Sequence, residues 1–293
     1  MDHDGLEASY LALVTQAVPW VAEACGGAYL SLPRVRVVDR RQFVDIHLAQ
    51  MRRILATVPP AHRFTLPIRA LGDQYTRRLL DAISSQVLGE FDPPLDLPGD
   101  ATPDPPTLYI VEENLPQPED AGASVEALRG RIIFHELAHA WQFEAHPWLH
   151  RYIHRQRLRT LEAGRAHPLQ LPGATLRGLR AGVQLQAAMS FIEGHANFIQ
   201  GEVNRRRDPH GGTVVDQDLH PPHFSLDRLL FAVTGGGMKM RQYRAGEAFV
   251  ERVAKIGGVD LVNQAWTRPW TLPTILELSE PDRWDARMTS STG

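Results

Sequence analysis

Apolar residues recur at three- and four-residue intervals along most of this chain, and only two short stretches break into β-branched runs. Leu6, Tyr10, Leu13, Ala17 and Trp20 share one helical face, which predicts a helix over about 5–25, with Pro19 as a kink point and Gly26-Gly27 as its end. The run VRVV at 35–38 is a candidate strand, and Asp39 a candidate cap for a helix carrying Phe43, Ile46, Met51, Ile54 and Leu55 inward until Pro59-Pro60. Another helix is expected over about 70–90, from Leu71, Tyr75, Leu79, Ile83 and Val87. The proline-rich stretch 92–106 can continue neither a helix nor a central strand, and TLYIVE at 107–112 follows it as the clearest strand of the chain. Four helical patterns come next, over about 125–145, 147–164, 175–204 and 239–258; Ser124 is a candidate cap for the first, and a further helical piece lies at 226–234. The pattern predicts a mainly α fold with a small β-sheet. It leaves open whether residues 1–293 form one domain or two lobes, about 1–123 and 124–293.

The helix over 125–145 carries His135-Glu136-Leu137-Ala138-His139. Residues four apart lie one above the other on a helix, so His135 and His139 can offer two imidazole nitrogens to one metal ion. Glu136 stands one step round, within reach of a water on that metal. This is the H-E-x-x-H arrangement of zinc metallohydrolases, here directly after a strand, in the setting the motif needs. Such a zinc usually has a third protein ligand. Glu193 is the preferred candidate, because it stands in the apolar run AAMSFIEG, where an ionised carboxylate needs a partner to offset its desolvation. His195 competes for that role but lies about 200° further round a regular helix. Asn197, one turn beyond Glu193, shares its face and is a candidate to orient His135 or His139. Gly194 between them costs about 1 kcal/mol relative to Ala in a helix interior, which suggests that another backbone approaches closely there.

These residues suit hydrolysis by a zinc-activated water, with Glu136 as general base and Tyr243 or His223 as donor to the developing oxyanion. If TLYIVE forms an exposed sheet edge above the metal, an extended peptide can pair with it; a TLYIVE strand covered on both edges favours a small amide or ester. His150 and His154 also stand four apart, but arginines surround them and no Glu follows His150, which favours a packing or solvated role. The stretch 205–224 holds His210, His220 and His223 with Asp208, Asp216 and Asp218, and reads as a loop near the cleft rather than as a second metal site.

Composition narrows this further. The chain is 43% hydrophobic and 22% charged, with net charge -3, so it has material for a sizeable core and no basic excess for nucleic acid. Cys25 is the single cysteine, which excludes an intrachain disulfide and a cysteine zinc knuckle. The acidic N-terminus makes a poor signal peptide, and the chain has no apolar run of membrane-spanning length. A cytoplasmic location without membrane contact is the expectation.

Three separated stretches, HELAHAWQF with PWL just after it, FIEGHANFI, and KMRQYRAGEAFV followed by VNQAW and LPT, resemble a bacterial zincin-like family of zinc metalloproteases or hydrolases. Some members are associated with deazaflavin-coenzyme biosynthesis. The early VRVVDRRQFV fits as well, so the resemblance spans most of the chain. It implies a mainly helical zincin-like fold, one Zn2+ held by His135, His139 and Glu193, and Glu136 as catalytic base. The family more often carries Asp where Asn197 stands. The reading is a gluzincin-type zinc metallopeptidase acting on a peptide or small amide; the alternative is a metal-binding zincin fold that serves as a binding or regulatory module without turnover.

Overall fold

The computed structural model describes residues 3–27, 30–57, 77–78, 80–94, 104–116, 125–163, 172–207 and 241–290. In chain order the labelled elements are helix α1 (His3–Ala24), strand β1 (Arg34–Val37), helix α2 (Arg40–Thr57), strands β2 (Gly89–Asp92) and β3 (Thr107–Ile110), and helices α3 (Val125–Ala145), α4 (Trp148–Ala163), α5 (Pro172–Arg207), α6 (Arg241–Asn263), α7 (Ile275–Ser279) and α8 (Pro281–Ser290). The mainly helical architecture with a small sheet is the one the periodicity predicts. Pro19 is accommodated inside α1, and Gly26 and Gly27 end it with φ of 101° and 80°, a left-handed turn that a side chain would strain. Asp39 caps α2: its carboxylate accepts from Gln42 N–H at 2.7 Å while the Gln42 side chain accepts from Asp39 N–H at 3.0 Å.

The strand order is β1-β3-β2, with β1 parallel and β2 antiparallel to β3. TLYIVE therefore supplies the central strand, covered on both edges, and the exposed edge considered for it does not exist. Leu108 and Ile110 of β3 face the main core under α1 and α3, whereas Tyr109 and Val111 turn to a second cluster with Phe43, Val44, Leu48 and Met51 of α2. The sequence pattern misses β2, because in GEFD only Phe91 favours a strand. Tertiary partners compensate. Glu90 meets His47 of α2 at 2.9 Å, and Asp92 accepts from Gln50 on the same helix. Two acidic residues thus lie on the covered face of the sheet because α2 supplies a partner for each.

Tyr10 of α1, Glu112 of the turn after β3 and Arg129 of α3 form one hydrogen-bonded group: the Tyr10 hydroxyl donates to Glu112, and Arg129 donates to both. This group fixes the start of α3 relative to the sheet. From there α3 runs through the core with Ile132, Ile133, Phe134, Leu137, Ala138 and Trp141 buried. The 36-residue helix α5 packs on α3, α4, α6 and α1. At its centre Gly194 meets Gly246 of α6. A Cβ on Gly194 would lie 2.2 Å from the Gly246 carbonyl carbon, and one on Gly246 would lie 1.8 Å from the Ser190 oxygen. The close approach expected at Gly194 is this helix–helix crossing. The helix expected over 70–90 is helical at 77–78 and 80–84 but ends there: the chain turns at 85–86 and enters β2 at Gly89, so its last residues belong to the sheet. The expected helix at 226–234, the cap at Ser124, residues 70–76 and the histidines and aspartates of 208–223 fall outside the described residues.

Backbone meets backbone at that crossing, so neither helix can yield by rotating a side chain. Gly246→Ala is expected to cost about 3 kcal/mol, at the upper end of ordinary overpacking, and to lower the thermal unfolding midpoint; calorimetry against wild type checks it.

Candidate metal centre

Within α3 the histidines and Glu136 fall on a fully enclosed stretch: His135 is 0%, Glu136 3% and His139 9% exposed. Burial of three such polar residues in succession requires partners. His135 Nε2 and His139 Nε2 lie 3.1 Å apart. Glu193 of α5, itself 3% exposed, places Oε2 3.6 Å from His135 Nε2 and 3.9 Å from His139 Nε2. One ligand atom from each of the three residues lies within 4.8 Å of the others. The spacing suits zinc: bonds of about 2.0–2.2 Å in a tetrahedron put neighbouring ligand atoms about 3.3 Å apart, so a few tenths of an ångström of adjustment closes the set. The donor chemistry suits it as well, since two imidazoles and a carboxylate form a common catalytic zinc set with a position left for water.

The two helices position these groups by simple geometry. His135 and His139 align through the four-residue repeat, and α5 crosses α3 so that Glu193 projects at them. His195, two residues on, turns the other way. Its ring stacks on Trp141, with centroids 5.6 Å apart and planes at 17°, and stands edge-on to Trp266 at 5.2 Å. Burial, helped by the nearby His139 and His146 rings, holds its pKa down at about 3, so it is neutral at ordinary pH.

Glu136 does not lie free beside the histidines. Its Oε2 accepts the Phe91 N–H of β2 at 2.7 Å. Phe91 is opposite Leu108, at a position of the antiparallel ladder whose N–H points away from β3, so Glu136 caps the outer edge of β2. Helix and strand meet closely here: a Cβ on Gly89 would lie 2.5 Å from Ile132 and 3.4 Å from Cγ of Glu136.

The orienting hydrogen bond expected from Asn197 comes instead from Gln142, one turn after His139. Gln142 is 0% exposed; its Oε1 lies 2.9 Å from His139 Nδ1, and its Nε2 lies 2.8 Å from the Ile192 carbonyl and 3.0 Å from His195 Nδ1. Asn197 is half-buried further along α5. The signal that could have found Gln142 is a polar residue at i+3 from His139 inside an apolar run. It was masked because HAWQF also reads as an ordinary amphipathic turn. Tyr243 belongs to the first turn of α6, three residues before the Gly246 crossing; its side chain is not among those described, and His223 is outside the described residues. His150 and His154 lie on α4 and do not join the three converging ligand atoms; His150 stands edge-on to Phe143 at 6.4 Å, which fits the packing role.

Beyond His195, the aromatic wall continues to His146, stacked on Trp266 with centroids 5.5 Å apart and planes at 9°. Burial lowers the His146 pKa to about 4. An unfolded chain takes up a proton near pH 6.5 while the folded one does not, so stability is full above about 6.5 and falls as pH drops towards 4. With allowance for the partial exposure of the ring, the loss is about 1–2 kcal/mol. His146→Phe is expected to remove this component, which appears as a flatter dependence of urea midpoint on pH between 4 and 6.5.

A model of the zincin-like metallopeptidase family matches residues 2–168 and 158–284. The crystal structure of a protein from Chloroflexus aurantiacus, described as a "putative hydrolase with a novel fold", is similar at a TM-score of 0.71 and 27% sequence identity, over 99% of this chain and 92% of that one. Curated proteins give no match. Among the described residues no helix is long and apolar enough to cross a membrane. The family match spans nearly the whole sequence and includes both helices that carry the converging histidines and glutamate: this chain belongs to the zincin-like metallopeptidase family.

Proposed function

We propose that the protein is a zinc-dependent hydrolase of the gluzincin type that cleaves an amide bond, with His135, His139 and Glu193 as metal ligands and Glu136 as general base. The observation that carries this is the convergence of two imidazole nitrogens and a carboxylate oxygen, all buried, beside a second carboxylate that is held in place. A zinc ion in this position supplies Lewis acidity, polarising a substrate carbonyl and bringing the pKa of a coordinated water towards about 7. Glu136 takes up the proton released as water attacks the carbonyl and delivers it to the leaving amine. The Phe91 N–H holds the Glu136 carboxylate in a fixed orientation, which shortens the search for a productive geometry. Tyr243, at the start of α6, remains the candidate donor to the oxyanion.

The sheet bears on the substrate. β3 is paired on both sides, and the outward N–H of Phe91 on β2 is engaged by Glu136. An extended peptide added to β2 must compete with that bond. This favours a compact amide, a dipeptide or N-acyl amino acid, over a long extended chain, and a location in the cytoplasm is consistent with such a substrate. A panel of blocked dipeptides and N-acyl amino acids set against an unfolded protein substrate is expected to show turnover in the first group.

The Phe91–Glu136 bond also favours one second reading, in which Glu136 only ties strand to helix and the metal centre serves binding without turnover. Glu136→Gln separates the two. Hydrolysis is expected to fall by at least about 10³-fold with zinc content unchanged by elemental analysis. Loss of metal in that variant overturns the assignment of Glu136 as base, and a wild-type protein that carries no zinc after zinc-replete expression overturns the metal centre itself. Glu193→Ala is expected to reduce zinc retention during dialysis against a chelator, since it removes one of three ligands.

A further inference from the structure

We propose that Gln142 is a positioning residue for the metal centre: its carboxamide fixes the tautomer of His139 and locks the helix bearing the histidines to the helix bearing Glu193. This rests on the metal-centre reading above. The geometry leaves the amide one orientation. The Ile192 carbonyl can only accept, so the NH2 end of Gln142 faces it at 2.8 Å. The oxygen end then faces His139 Nδ1 at 2.9 Å, and that nitrogen must carry the hydrogen. His139 is therefore an Nδ1–H imidazole whose Nε2 lone pair points towards His135 and Glu193, in the form a metal ligand needs. The second NH2 hydrogen is directed at His195 Nδ1 at 3.0 Å.

Two features make Gln suited to the position. A carboxylate would face the Ile192 carbonyl with no hydrogen to donate, so an amide is the side chain that serves His139 and Ile192 together. Ile192 immediately precedes Glu193, so the bond to its carbonyl sets the register of the third ligand against His139. Removing the carboxamide favours the wrong form. Neutral histidine in water prefers the proton on Nε2, and His139 Nε2 stands 3.1 Å from His135 Nε2, where such a proton has an acceptor.

The test reads tautomers in metal-free protein labelled with 15N-histidine, using long-range proton–nitrogen correlation at one pH, and zinc affinity by chelator competition. Wild-type protein is expected to show His139 as Nδ1–H. Gln142→Leu is expected to shift it to Nε2–H and to weaken zinc binding about 10–100-fold. Gln142→Glu, which keeps an acceptor for His139, is expected to retain the Nδ1–H signature even where its lost donor lowers stability. Circular dichroism identifies the folded variants, and the wild-type spectrum decides the tautomer without any of them. A wild-type His139 protonated on Nε2 overturns the proposal, as does a folded Gln142→Leu protein with unchanged tautomer and affinity. Wild-type protein that binds no zinc while holding His139 as Nδ1–H overturns the metal-centre reading and supports the hydrogen-bond assignment.

Discussion

A carboxylate buried beside two imidazoles is the constraint around which this structure is arranged. Glu193 leaves water in an otherwise apolar stretch of α5, and the desolvation of its charge has to be offset by groups brought to it. Those groups belong to α3, nearly sixty residues earlier in the chain. The helices must therefore cross at a fixed point, and the rest of the core serves that crossing. Gly194 and Gly246 let α6 press on a neighbouring face of α5, and the aromatic wall of Trp141, Phe191 and Trp266 fills the space next to it.

The small sheet contributes to the same centre from a neighbouring face of α3. Its acidic strand β2 is stable because His47 and Gln50 satisfy Glu90 and Asp92 on one face. The edge amide of Phe91 is then delivered to Glu136. The candidate base is thus held by backbone, a rigid support, whereas the histidines depend on side-chain geometry. The base is tied to the strand, while the ligands on the same helix meet that of α5.

Membership of the zincin-like metallopeptidase family accounts for the helix with its histidine pair, and the similarity to a protein described as a hydrolase fits a cleavage reaction. Neither specifies a substrate. What the structure adds is the engagement of Glu136 by β2 and the amide of Gln142 beside His139. Both bear on how the centre is tuned.

The sequence by itself determined what repeats locally. The helical periods gave α3 its full span, Val125–Ala145, and most of α4, α5 and α6 to within a few residues. The four-residue spacing put His135 and His139 on one face, and the two-residue spacing separated Glu193 from His195. These follow from the turn of a single helix and need no partner. What only the tertiary structure decided depends on contacts between distant segments. β2 was hidden because GEFD has little strand preference and gains its partners from α2. β3 could not be recognised as central, since the neighbours that cover its edges come from 34–37 and 89–92. Gln142 replaced Asn197 beside His139 for the same reason: a side chain three residues from a histidine and one on another helix are equally plausible partners until the crossing of the helices is fixed.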